Sequence, residues 1–287
     1  MKMSTPSRLA RQACAWTIIS ASAGLFVFPG CGEMMAEAHI DRLSDPDSQV
    51  RLKASYKLVD IGSAAIEPLL ERTRGGSDSL HYIAAQIFGR IGDLRAVPFL
   101  LSHIKNNNPH IRKETVLALG MMNKPDLAGP IADLLRTESV DIVRGAAVES
   151  LANLQDTTVV PDLIRALSDS AAVVRRHALT GLHRRWTAAA EDPAIAALHD
   201  SDEQVRYIAA QLVGNRFIEK AVFDLRLALI DTSMWVRVEA ANALSKLGAL
   251  EAVDELIDVM RTRDGPDVEA AQKALYQITG EEYVVVD

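Results

Sequence analysis

Cysteine is almost missing: 287 residues contain only Cys14 and Cys31. At most one disulfide is possible, and none remains if the apolar N-terminal stretch that carries Cys14 is removed. Metal-ligand spacing is missing too. His177 and His183 lie six apart, off register for one helix face, His103 and His110 flank an asparagine-rich loop, and no His-Glu-x-x-His occurs. Gly75-Gly76 is followed by no Gly-Lys-Ser/Thr, and there is no Gly-x-Ser-x-Gly elbow, so neither a phosphate cradle nor a nucleophile turn is encoded. No metal, cofactor or catalytic residue is expected. Aromatic residues make up only 5% of the chain against 48% apolar overall, so Ala, Leu, Val and Ile must fill the interior, as closely packed helices require. Positive charge is scarce outside the first 31 residues: beyond them 28 basic residues face 38 acidic ones. A surface of that sign repels phosphate backbones, which excludes a nucleic-acid partner.

The N-terminus is set apart. Lys2, Arg8 and Arg11 precede an apolar run from Ala13 to Phe28, and Pro29-Gly30-Cys31-Gly32 follows. This is the three-part layout of an export signal, and the run is short for a membrane-spanning helix of about twenty residues. It resembles a bacterial lipoprotein signal, in which the cysteine at the cleavage point is acylated. Where that family has Leu and a small residue at minus three and minus two, this chain has Phe28 and Pro29. The resemblance implies lipidation of Cys31, a membrane anchor through that lipid, and a place in the periplasm or at the outer membrane. Cleavage near Ala36-Glu37-Ala38 and retention as an uncleaved anchor stay open.

What is abundant is repetition. Val-Arg or a variant recurs about every 31 residues: Val50-Arg51, Leu80-His81, Ile111-Arg112, Val143-Arg144, Val174-Arg175, Val205-Arg206, Val236-Arg237 and Val268-Glu269. Three residues later stands Ala54, Ala84, Thr115, Ala147, Ala178, Ala209, Ala240 or, in the degenerate last copy, Gln272. Within one unit, apolar residues at 50, 54, 58 and 61 share a helix face, Asp45 or Ser48 suits its start and Gly62 its end. A second helix follows, often with proline in its first turn (Pro98, Pro130, Pro161). Neither helix buries its apolar stripe alone, so hairpins must stack. The expectation is an all-α, right-handed α-solenoid of about seven to eight helical hairpins. Its divisions are an export segment over 1–31, a short linker over 32–42, the solenoid over 43–280 and a tail over 281–287.

A carboxylate or its amide precedes each arginine by six residues: Asp45 and Arg51, Asn106 and Arg112, Glu138 and Arg144, Asp169 and Arg175, Asp200 and Arg206, Asp231 and Arg237. Six equivalent copies imply architecture, a ladder joining turn to helix within or between repeats. Repeat two replaces the pair with Gly75 and His81 and the last copy reverses it with Arg263 and Glu269, so weaker stacking is expected at both places.

Together the Asp-x5-Arg spacing, Val-Arg-x-x-Ala and the turns Ile61-Gly62, Ile91-Gly92 and Leu247-Gly248 resemble the HEAT-repeat superfamily, above all the short bacterial variety found in phycobilin lyases. The resemblance covers about residues 40 to 280. It implies a non-catalytic scaffold that binds another protein. A chromophore-handling, lyase-like role is its alternative, with no bilin-site residue recognisable.

Departures from the repeat mark candidate contacts. Repeat five replaces its turn with Leu182-His183-Arg184-Arg185-Trp186, and Arg and Trp are enriched in binding hot spots. Arg184, Arg185 and Trp186 are therefore candidate partner residues, or the anchor of an envelope-ligand site. The competing reading is that Trp186 plugs an irregular turn while the arginines answer a helix dipole. Trp235, where other repeats have Gln49 or Gln204, and Phe99, on a second helix, complete the candidates. Tyr82 and Tyr207 head identical Tyr-Ile-Ala-Ala-Gln strings and are expected to be structural.

Overall fold

The computed structural model describes residues 31–284, with side chains from residue 32 onward. The export segment expected over 1–31 thus lies outside the described residues, apart from the backbone of Cys31. Residues 285–287 lie outside them as well. Among the described residues every regular element is helical.

After α1 (Cys31–Ile40) come pairs of helices: α2 (Ser48–Ile61) and α3 (Ile66–Thr73), α4 (Asp78–Ile91) and α5 (Val97–His103), α6 (Pro109–Met121) and α7 (Ala128–Thr137), α8 (Asp141–Asn153) and α9 (Val160–Ala166). Then follow α10 (Ala172–Arg184) and α11 (Glu191–Ala196), α12 (Glu203–Asn215) and α13 (Val222–Ala228), α14 (Met234–Leu247) and α15 (Val253–Thr262), and the unpaired α16 (Pro266–Thr279). The chain divides into two compact units between Phe99 and Leu100. In each unit the building block is the stacked hairpin of an all-α solenoid.

In the first unit α1 packs against α2 and α3, burying Ala36 and Ile40. This corrects the linker expected over 32–42: Met34, Ala36 and Ile40 give the segment an apolar side with which, as a helix, it covers the first hairpin. In the second unit first helices stack in order, α6 on α8, α8 on α10, α12 on α14 and α14 on α16.

Small residues let these helices approach closely. A Cβ on Gly120 would lie 2.6 Å from the Cβ of Ser150, and one on Gly214 would lie 2.7 Å from that of Ala243. The recurring alanines Ala147, Ala178, Ala209 and Ala240 are fully buried too. Each hairpin is closed by a helix stop. Gly248 ends α14 in the left-handed region (φ 62°), a conformation that costs glycine little.

Arg175 shows how repeats are joined. Its Nε and Nη2 donate to Oδ2 and Oδ1 of Asp200, 25 residues on, at 2.7 and 2.6 Å. Its Nη1 donates to the backbone carbonyls of Asp169 and Ser170 at 2.7 and 3.1 Å. Asp200 in turn accepts from the backbone N–H of Asp202 at 2.8 Å, holding the loop that starts the next helix. Arg112 with Glu138, Arg144 with Asp169 and Arg206 with Asp231 repeat the arrangement. The two residues spaced by six are thus joined through a backbone carbonyl. The side-chain carboxylate belongs to the arginine of the preceding repeat.

At the last interface the displaced carboxylate is replaced. Arg237 donates from Nε to Oδ2 of Asp267 at 2.6 Å, and Asp267 is 1% exposed in the first turn of α16. The weaker stacking expected there is corrected to a retained rung of altered origin, although Oδ1 of Asp267 is buried with no hydrogen-bond partner. In the first unit Arg51 bonds only the carbonyls of Asp45 and Pro46, at 2.7 and 2.9 Å. His81 Nε2 lies 3.0 Å from the carbonyl of Thr73.

Exposed ion pairs contribute about 0–1 kcal/mol, but the Arg175 and Asp200 side chains are only 11% and 12% exposed, so losing one strands a desolvated charge. Arg175→Met is expected to lower unfolding free energy by roughly 3 kcal/mol in denaturant titration. Arg51→Met, which removes carbonyl contacts alone, should cost nearer 1 kcal/mol.

The bond from Arg112 holds the Glu138 carboxyl below its ordinary value, and Arg144 does the same for Asp169. Burial is the largest influence on Asp200 and Asp231 and pushes them up, but their arginine and backbone N–H bonds together outweigh it, leaving both lowered. Carboxyls lowered on folding add stability that is complete above their unfolded values, about 4, and is lost as pH falls through the folded ones. Melting temperature should therefore drop steeply below about pH 4. Arg175→Met should show a shallower acid limb, having already lost one linkage.

Candidate functional site

The turn side of repeats five and six gathers the unusual residues. Gly92, Asn123 and Gly248 hold the helix-stop position at φ 72°, 48° and 62° in three repeats. In repeat six that position is Phe217, left-handed at φ 54° and 65% exposed. A bulky residue is strained there, and burial does not offset the strain. One repeat earlier the aligned residue is Trp186. The guanidinium of Arg216 stacks over its ring with 5.3 Å to the centroid, and Arg216 Nη2 donates to the carbonyl of His183. Together with Ile218, Glu191, Glu219 and Lys220 these residues line a cleft of about 330 Å³.

The other members of the repeat-five cluster face the preceding repeat. Arg184 Nη1 donates to Oδ1 of Asn153 at 2.7 Å. Arg185 donates to the carbonyls of Ala152 and Asn153 at 3.2 and 3.4 Å, occupying acceptors that the end of α8 leaves free. These two act as staples between repeats four and five, which is the dipole reading in a neighbour's service. His183 is lowered by burial and by the nearby charges of Arg216 and Arg184.

Phe99 serves the hairpin itself. Its half-buried ring meets Phe88 and His81 edge-on, with centroids 5.2 and 5.9 Å away, so it closes hairpin two. Trp235 is 59% exposed and borders a hollow of about 180 Å³ with Glu203, Gln204, Tyr207 and Ser233. Tyr82 accepts from Gln86 at 3.2 Å.

The sequence reading missed a second feature. Phe223 and Leu227 on α13 and Ile230 in the turn just after it fall at i, i+4 and i+7 and are 64%, 46% and 71% exposed. The aligned residues are Asp192, Ala196 and His199 one repeat earlier and Asp254, Asp258 and Arg261 one repeat later. Positions that are mostly polar in the adjacent repeats, Ala196 excepted, are apolar here. Comparing columns at the 31-residue spacing reveals it, whereas helical periodicity alone assigns those residues to the core. Second helices also carry their own cross-repeat pairs, Arg136 with Asp162 at 3.4 Å, His199 with Asp224 at 2.6 Å and Arg226 with Glu255 at 3.0 Å.

Among the described residues no group of three or more His, Cys, Asp or Glu could hold a metal ion. No described helix is long and apolar enough to cross a membrane.

Comparison with known proteins agrees with the hairpin geometry. The model for HEAT repeats matches residues 66–152 and 191–276, more than half of the chain. The chain belongs to the HEAT-repeat family. A second model, the PBS lyase HEAT-like repeat, matches residues 143–169 of this HEAT-repeat protein. No curated protein matches it. Among solved structures, YibA of Escherichia coli is similar with 17% identity and a TM-score of 0.65, over 90% of this chain and all of that one. An engineered protein is similar at 18% identity and a TM-score of 0.50, over 88% and 81%. The complex of CpcE and CpcF of phycocyanin lyase from a Nostoc species shows 18% identity over 91% and 98%, with a TM-score of only 0.45. The likenesses to YibA and to the engineered protein establish the fold.

Proposed function

We propose that this HEAT-repeat protein is a non-catalytic scaffold of the bacterial cell envelope, exported, anchored by lipid on Cys31, and holding another protein along α13. The observation that carries the binding role is the Phe223–Leu227–Ile230 stripe. Large apolar side chains exposed together along one helix and the turn after it, where neighbouring repeats place mostly polar residues, suit a partner's apolar groove or helix. The absence of turnover is supported by where the lowered carboxyls of Glu138, Asp169, Asp200 and Asp231 are used: each is bound by an arginine in a structural rung. The export and anchoring parts rest on the N-terminal pattern of Lys2, Arg8 and Arg11, the apolar run and Cys31.

A photo-crosslinking residue at position 227 should give one discrete protein adduct in the native host. With Phe223→Ser and Ile230→Ser beside it, the adduct should fall at least about tenfold while helicity and melting temperature stay near the parent's, because the stripe is exposed. Retention of the adduct would count against the stripe. Labelled palmitate should be incorporated by the parent and not by Cys31→Ser; equal labelling of both would remove the anchor.

A further inference from the structure

The cleft between the turns of repeats five and six is separate in its residues from the α13 stripe. Its composition is specific. Two aromatic rings, Trp186 and Phe217, stand at the position that Gly92, Asn123 and Gly248 hold in three other repeats. Their charged companions balance: Arg216 and Lys220 against Glu191 and Glu219. Lys220 is already engaged, with its Nζ 3.4 Å from Glu191 and 3.8 Å from Asp192. The Nε of Arg216 is buried with no hydrogen-bond partner.

We propose that this cleft binds a neutral saccharide. The ring C–H face of a sugar is apolar and packs on an aromatic ring, while its hydroxyls both donate and accept, which donor and acceptor side chains set side by side satisfy. A phosphate or polyanion would meet the carboxylates of Glu191 and Glu219, and an isolated cation would meet Arg216 and Lys220. An uncharged polyol meets neither penalty. The volume of about 330 Å³ is at the lower end for ligand sites, suited to one or two sugar rings. The left-handed Phe217 supplies the independent argument. Glycine would relieve its backbone at little cost in buried area, so the exposed ring serves something outside the fold.

The test is calorimetric and NMR titration of the purified full-length chain with maltotriose, cellotriose and the trimer of N-acetylglucosamine. At least one should bind with millimolar or tighter affinity, and glucose 6-phosphate more weakly than glucose. Phe217→Gly should weaken binding about tenfold or more while melting no lower than the parent, and Trp186→Ala should weaken it similarly. The proposal is overturned if none of the three binds, if Phe217→Gly binds as the parent does, or if Phe217→Gly melts several degrees lower and so reveals a packing role. Loss of the position-227 adduct bears only on the stripe, so the two readings fail separately.

Discussion

One guanidinium group, used in two directions, underlies the array. Arg175 satisfies its own loop through backbone carbonyls and grips the next repeat through a bidentate carboxylate. The carboxylate then caps the backbone of the loop it belongs to. Loop conformation and inter-repeat docking are therefore set by a single set of bonds, and the apolar stripes meet in a fixed register. Arginine is suited to this because its planar fork serves carbonyls on one edge and a carboxylate on the other; lysine, a point donor, offers no such division.

Most of that framework was legible in the amino-acid order. The Val-Arg period, the buried alanines and the proline-led second helices are local patterns repeated often enough to read directly. The rungs were only half legible. A spacing of six within a repeat signalled that aspartate and arginine cooperate, but the carboxylate partner lies 25 residues away for Arg175, a pairing that stacking alone decides. Asp267 was invisible for the same reason: it restores a rung from a helix turn where the spacing rule finds Arg263 and Glu269.

The candidate sites divided along similar lines. Trp186 stood out because it broke the turn, and the structure gives it a stacked arginine. Phe99 drew attention as a lone aromatic on a second helix, yet its ring is spent on Phe88. Arg184 and Arg185 marked a basic cluster whose donors point back to repeat four. The α13 stripe escaped because Phe223, Leu227 and Ile230 sit at ordinary helical spacing; only their alignment with Asp192, Asp254 and Asp258 in adjacent repeats exposes them as out of place.

The substitution of Glu269 for arginine has a consequence for lengthening the array. The junctions joined by Arg112, Arg144, Arg175 and Arg206 can each be cut and a further unit spliced in, since each offers a guanidinium on one side and a carboxylate on the other. Grafted after α16, the same unit would present its carboxylate to Glu269, like charge against like. Duplication of a unit is thus permitted at those junctions and opposed after α16.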